Sequence, residues 1–371
     1  MTFNINKSGQ EGYSMLELIV ALGCMLVVGA ASLALVGSSI KFANSTYNVT
    51  DAEQSLRNAH EVINRDLTNA GDGLRGIGTI TAPVAFVQSY ITRTPVTCND
   101  ANFPCIGLVT SDDSIPMSTA IPQASPAANF QTGSDRISML IRDTGFNFGN
   151  SVSLFAGTIS VAGASTVMVV GTTEIGLFQV GEIYALTSQN SAAFGVVSAV
   201  DTINKKVTLT NGDAYGLNQN SAPSPISQVA AFVSGLNTSP VAVMRLQIIQ
   251  YYVTSTGLLM RRVIGVQGKG FNDTVVAEHV SSLQFRYVTN LTDSNGNVIQ
   301  PMGVLSSSAE QNAVREIETS ISLETVGAVN AVTNANSSTT TCGANDNGKQ
   351  NICSTTHTTV RNLQFRQALS P

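Results

Sequence analysis

The chain has little charge: Asp, Glu, Lys and Arg make up 12% of its 371 residues, roughly half the share in an average soluble domain. No block of Lys or Arg occurs and the net charge is −5. Binding to nucleic acid through phosphate neutralisation therefore has no basis in the isolated chain. Histidine is scarce too. His60, His279 and His357 stand far apart, which gives a metal centre or a general base little support. There is no Gly-x-Ser-x-Gly elbow for a serine hydrolase. The run Gly265-Val266-Gln267-Gly268-Lys269-Gly270 lacks both P-loop spacing and a Ser or Thr after the lysine, so it reads as a turn. Asp293-x-Asn295-x-Asn297 and Asn345-Asp346-Asn347 offer oxygen donors. The first misplaces the glycine and lacks the closing glutamate of a calcium loop, and turn chemistry accounts for both. No catalytic residue, metal ligand or cofactor is assigned, and no enzyme is expected.

Cysteine is also sparse. Cys24 lies in an apolar run and acts as a small hydrophobe. The other four form two local sets, Cys98 with Cys105 and Cys342 with Cys353, each closing a short loop rich in turn residues. Neither spacing is a C-x-x-C motif. Two local disulfides in an oxidising compartment are the simplest reading, with free thiols or crossed pairing as the alternatives.

What the chain does have is concentrated at its start. Residues 1–12 are polar and end in Gly12; Tyr13-Ser14-Met15-Leu16-Glu17 follows, then an uncharged stretch from Leu18 to Val36. Those nineteen residues would span about 28 Å as a helix, close to the hydrocarbon thickness of a bilayer. No second run of comparable length follows. A carboxylate at the edge of such a helix costs a few kcal/mol unless it is paired, and an ordinary anchor gains nothing from Glu17. A secretory signal cut near Ser32-Leu33-Ala34, a plain membrane anchor and a buried helix of a soluble enzyme are the competing readings.

The arrangement of Gly12, Tyr13 and Glu17 resembles the signal of type IV pilins and type II secretion pseudopilins. That resemblance implies cleavage between Gly12 and Tyr13 by a prepilin peptidase and methylation of the new amine. It also implies that Glu17 pairs with the amine of a neighbouring subunit in the filament. Further on, Leu56-Arg57-Asn58-Ala59 and Ile63-Asn64-Arg65-Asp66-Leu67-Thr68-Asn69-Ala70-Gly71 resemble the helix end of PilW-type minor pilins and J-type minor pseudopilins.

Between these motifs Val49, Ala52, Leu56, Ala59, Ile63, Leu67 and Ala70 step by three and four residues. They form one apolar stripe on an amphipathic helix, which Gly71-Asp72-Gly73 would stop. The Ser, Thr and Asn residues of 38–48 mark a candidate break.

The rest reads as β. Residues 72–149 form a disulfide-pinned connection, with a strand-like piece at Ala85–Ile91 and a strand over Arg136–Arg142. Residues 150–235 alternate short strands with turns, without a helical period, as an inserted small β subdomain. Residues 236–371 carry strands at Val241–Val253, Leu258–Val263 and Leu283–Val288, then a hairpin at Asp293–Asn297. Arg315–Val326 alternates apolar and polar, and Thr358–Phe365 is a closing strand.

The expected fold is α+β: a long N-terminal helix, membrane-spanning over 13–40 and amphipathic over 41–71, packed on an antiparallel sheet with a β-rich insertion. The resemblance implies a minor pilin that helps initiate or cap a type IV pilus. Its expected partners are other major and minor pilins, the prepilin peptidase and the inner-membrane assembly machinery. The chain would sit in the bacterial inner membrane with its body in the periplasm, then at the cell surface on the pilus. A J-type pseudopilin is the alternative within the family. A membrane-anchored or secreted β-domain binding protein or hydrolase is the alternative outside it.

Overall fold

A computed structural model of the chain describes residues 14–72, 74, 80–98, 100–124, 126–154, 159–188, 192–234, 241–266, 270–292, 296, 301–327, 341–344 and 349–361. One helix, Met15–Asn69, runs unbroken for 55 residues. The candidate break at 38–48 does not form. Ser38, Ser39 and Thr46 turn their hydroxyls back onto carbonyls three or four residues earlier, so these polar side chains are satisfied without leaving the helix. The helix ends where Gly71 takes a left-handed φ of 74°, a conformation that costs glycine nothing. The Gly71 amide then donates to the Leu140 carbonyl at 2.8 Å, which ties the helix end to the sheet.

The organising strand is Val241–Val253. Its sequence is almost continuously apolar, as suits a strand covered on both faces. Its first half pairs with Val152–Leu154 and Ile183–Thr187, its second half with Arg136–Arg142 and Leu259–Val266. Around it grows a ten-stranded mixed sheet. Gly270–Ala277 lies at one end of its main strand path, and Ile80–Thr81 with Cys105–Ile106 at the other. A second sheet joins Val280–Thr289, Val314–Glu324, Gln350–Thr359 and Thr341–Ala344. In Val314–Glu324 the expected alternation is realised: Ile317, Thr319, Ile321 and Leu323 are buried and the intervening residues are not. The second half of the long helix packs on Gly270–Ala277 of the first sheet and on two strands of the second, and all of them share one hydrophobic core.

Several expectations are corrected. Ala85–Ile91 is helical rather than extended, one α-turn at Val84–Phe86 followed by a π-turn at Val87–Ile91. Phe86, Val87 and Ile91 are buried there, a helical spacing that a short apolar run does not reveal. Residues 150–235 do contain a helix, Pro225–Ser234. Pro225 opens it, where a missing N–H costs nothing, and Ile226, Val229 and Ala230 are buried. Within the same region only Ile159–Ala162, Ser165–Val169, Ala199–Asp201 and Lys206–Thr210 form a sheet of their own. Ile183–Thr187 and Ala192–Val196 belong to the large sheet. The last strand is Gln350–Thr359, earlier than Thr358–Phe365, and residues 362–365 lie outside the described residues. Of the candidate turn at 293–297 only Gly296 is described.

Cys98 and Cys105 form a disulfide. Cys353 is also disulfide-bonded. The strand that holds Cys342 pairs with the strand that holds Cys353, although the Cys342 side chain lies outside the described residues. Cys24 is free and exposed.

Candidate assembly interface

Helix residues 15–44 are not buried by any of the described residues of the body. Every one of them is exposed, including Met25, Leu26 and Leu33 at 73%, 74% and 75%. This segment holds the one helix among the described residues that is long and apolar enough to cross a membrane. A bare apolar surface of this length is unstable in water and calls for lipid or other helices.

Glu17 is exposed in the first turn of that helix. Its Oε2 accepts from the Ser14 amide at 3.0 Å, and the Ser14 hydroxyl accepts from the Leu16 amide at 3.3 Å. The two side chains thus form a capping box, which satisfies otherwise orphaned N–H groups and places a carboxylate at the positive end of the helix. Gly12 and Tyr13, the expected cleavage pair, lie outside the described residues.

The other half of the helix is docked. Ala52, Leu56, Ala59, Ile63, Leu67 and Ala70 are buried, as the stripe predicts. Polar contacts fix the register. Asp66 is buried and its Oδ2 accepts from the Tyr251 hydroxyl at 2.7 Å and from Arg261 Nε at 2.5 Å. Burial, reinforced by the Asp66 charge, raises the Tyr251 hydroxyl well above its ordinary pKa, so Tyr251 stays a donor. Arg142 bridges Asp72, just past the helix, at 3.1 Å. Two residues before Asp66, Asn64 Oδ1 accepts from Thr356 and Thr358, and His60 Nδ1 lies 2.9 Å from the Thr356 hydroxyl. His60 is buried, which pulls its pKa below the ordinary 6.5 against a smaller opposing effect of the Ser354 backbone.

Asp66 therefore has a structural role: it clamps the helix to the sheet. Its partners Tyr251 and Arg261 escaped sequence reasoning, because they lie 185 and 195 residues away and nothing local marks them. An open groove of ≈ 590 Å³ occurs where the helix enters the body, between Asn48–Asn58 and the segments 275–279 and 323–326. Among the described residues no group of three His, Cys, Asp or Glu side chains is placed to hold a metal ion. No family model, curated protein or solved structure matches the chain. Its function is read from its own residues.

Proposed function

We propose that this chain is a pilin-like subunit, closest to the PilW-type minor pilins. It would be inserted in the inner membrane by residues 13–40 and cut between Gly12 and Tyr13. It would then join a type IV pilus, where it helps initiate or cap assembly. The observation that carries this reading is the state of the helix start: Glu17 exposed in the first turn of an apolar helix whose residues 15–44 are wholly bare. In a single-pass anchor this carboxylate only adds a cost of insertion. In a bundle of such helices it meets the amine of an adjacent mature chain, and two charges that are expensive in lipid become a pair. The body fits the same role. It is held by the second half of the helix and leaves the first half free for other subunits.

Co-expression of the full chain with a prepilin peptidase tests the reading. Intact-mass measurement is expected to show loss of the first twelve residues and an N-methylated Tyr13. An uncut chain, or a cut near Ala34, would overturn it.

A further inference from the structure

We propose that Asp113 and Asp135 form a proton-operated latch between the ten-stranded sheet and the sheet that holds Val280–Thr289. Sharing one proton they hold the two sheets together, and with both carboxyls charged the latch weakens. The latch does not depend on the filament reading.

Residues 133–135 lead into the strand Arg136–Arg142 of the first sheet and meet Val280–Thr289 of the second. The Asp135 amide donates to the Leu283 carbonyl at 2.8 Å, and the Phe285 amide donates to Asp135 Oδ2 at 2.8 Å. The carboxyl thus stands where the carbonyl of a paired strand would. Beside it the Leu283 amide donates to the Ser134 hydroxyl at 3.3 Å, and Gln284 Nε2 to the Gly133 carbonyl at 2.7 Å. Asp135 Oδ1 accepts from the Ser114 amide at 2.9 Å. One buried side chain therefore ties the end of Val109–Asp112 and the edge of the second sheet to the same point.

The Asp113 carboxyl lies within hydrogen-bond reach of Asp135. Two carboxylates so placed repel, and a single shared proton turns the repulsion into an O–H···O bond. Neighbouring charges do not relieve the pair. Arg136 and Arg93 both bind Asp112, at 2.7 and 2.9 Å. Arg93 turns its Nη2 to the Asp113 carbonyl instead of the carboxyl. Arg262 is taken by Asp273 at 2.7 Å. Residues 301–305 place Gly303 against the Asp113 carboxyl and carry no titratable side chain. On Val280–Thr289, Arg286 is exposed on the face opposite Phe285 and Tyr287. The Tyr287 hydroxyl is buried with no hydrogen-bond partner among the described residues. Burial, then the charges of Asp135, Asp113 and Asp112, keep it neutral.

Burial also pushes the Asp135 carboxyl from 3.8 up to about 6, with Asp113 adding to the rise and the Ser114 and Phe285 amides opposing it. Asp113 is half-buried and Ser114 exposed, which gives the proton a way to water. The closed latch holds its proton more tightly than an open one. Closing is therefore favoured as pH falls from about 6 toward 3.8, and the advantage is lost as pH rises through about 6.

Hydrogen exchange of the full chain in detergent tests this at pH 5.0 and 7.5, expressed as protection factors so that the pH dependence of exchange itself is removed. The Leu283 and Phe285 amides are expected to be about tenfold better protected at pH 5.0. Equal protection at the two pH values would overturn the proposal. His60 cannot mimic the gain, because its burial favours the folded chain at the higher pH. In Asp113→Asn the side-chain amide donates to Asp135 without any added proton, so the shift should vanish while all three histidines remain. Persistence of a tenfold shift in this variant would overturn the latch. Asp135→Asn is the second variant. Its one carbonyl oxygen serves only one of the two amides, so protection should fall at both pH values and the shift should again be absent; a retained shift would contradict the shared proton.

Discussion

Residues 15–44 and 45–69 belong to one unbroken helix, yet the first stretch leaves Leu26 74% exposed while the second buries Ile63 completely. The backbone is the same; the side chains assign the two halves different neighbours. In the second half apolar residues recur on one face, and Asp66 and Asn64 are matched by donors on the sheets. In the first half apolar residues cover every face, a pattern with no preferred side for a sheet and every side open to lipid or to other helices. The charges differ in the same way. Asp66 finds its partners inside the chain. Among the described residues Glu17 finds only the Ser14 amide of its own first turn, which leaves most of the capacity of its carboxylate for a partner from outside.

The largest expected effect is on the docked half. Asp66→Ala strands Arg261 and the Tyr251 hydroxyl beneath the helix. Loss of one partner of a buried pair should cost about 3 kcal/mol or more, read as a fall in the urea midpoint of the full chain in detergent. An unchanged midpoint would show that the helix needs no clamp. Ile63→Ala comes next, at about 2–4 kcal/mol for an emptied core site. Its counterpart Leu26→Ala should leave the unfolding of the body within about 0.5 kcal/mol. Equal losses from the two substitutions would erase the distinction between the halves.

A smaller effect follows from pH. His60 has a folded pKa below the ordinary 6.5 because burial disfavours its charged form. The unfolded chain therefore binds this proton first. The stability held by neutral His60 is intact above 6.5 and is lost as pH falls from there through the folded pKa. Asp135 acts in the opposite sense. Burial raises its carboxyl from 3.8 to about 6 against the Ser114 and Phe285 amides, so it favours the folded state as pH falls from about 6 toward 3.8. Urea midpoints at pH 7.5 and 6.0 should fall less in His60→Asn than in the parent chain, and identical slopes would remove His60 from the account.

The same contrast explains what could be read from the sequence. The apolar span, the three-and-four stripe from Ala52 to Ala70 and the alternation from Ile317 to Leu323 are local periodicities, and a local period is visible without any partner. The clamp was not visible, because Asp66 meets Tyr251 and Arg261 only when distant strands assemble. Nor was the role of Val241–Val253 as the strand on which four others register, since its apolar run specifies burial but not its neighbours. The helices at Val84–Ile91 and Pro225–Ser234 were missed for the same reason: short apolar runs suit either conformation until tertiary contacts choose. Phe148 is the extreme case. Its exposure and its left-handed backbone have no signature in the run Asn147-Phe148-Gly149 beyond the flanking Asn and Gly.

The division of labour along the helix is tested most directly by recovery of Glu17→Ala in sheared filaments, measured against its pool of processed chain in the membrane. The prediction is normal cleavage after Gly12 and an unchanged urea midpoint of the body, with the variant absent from filaments. Recovery at the level of the parent chain would contradict it, because the bare half of the helix would then assemble without its one carboxylate.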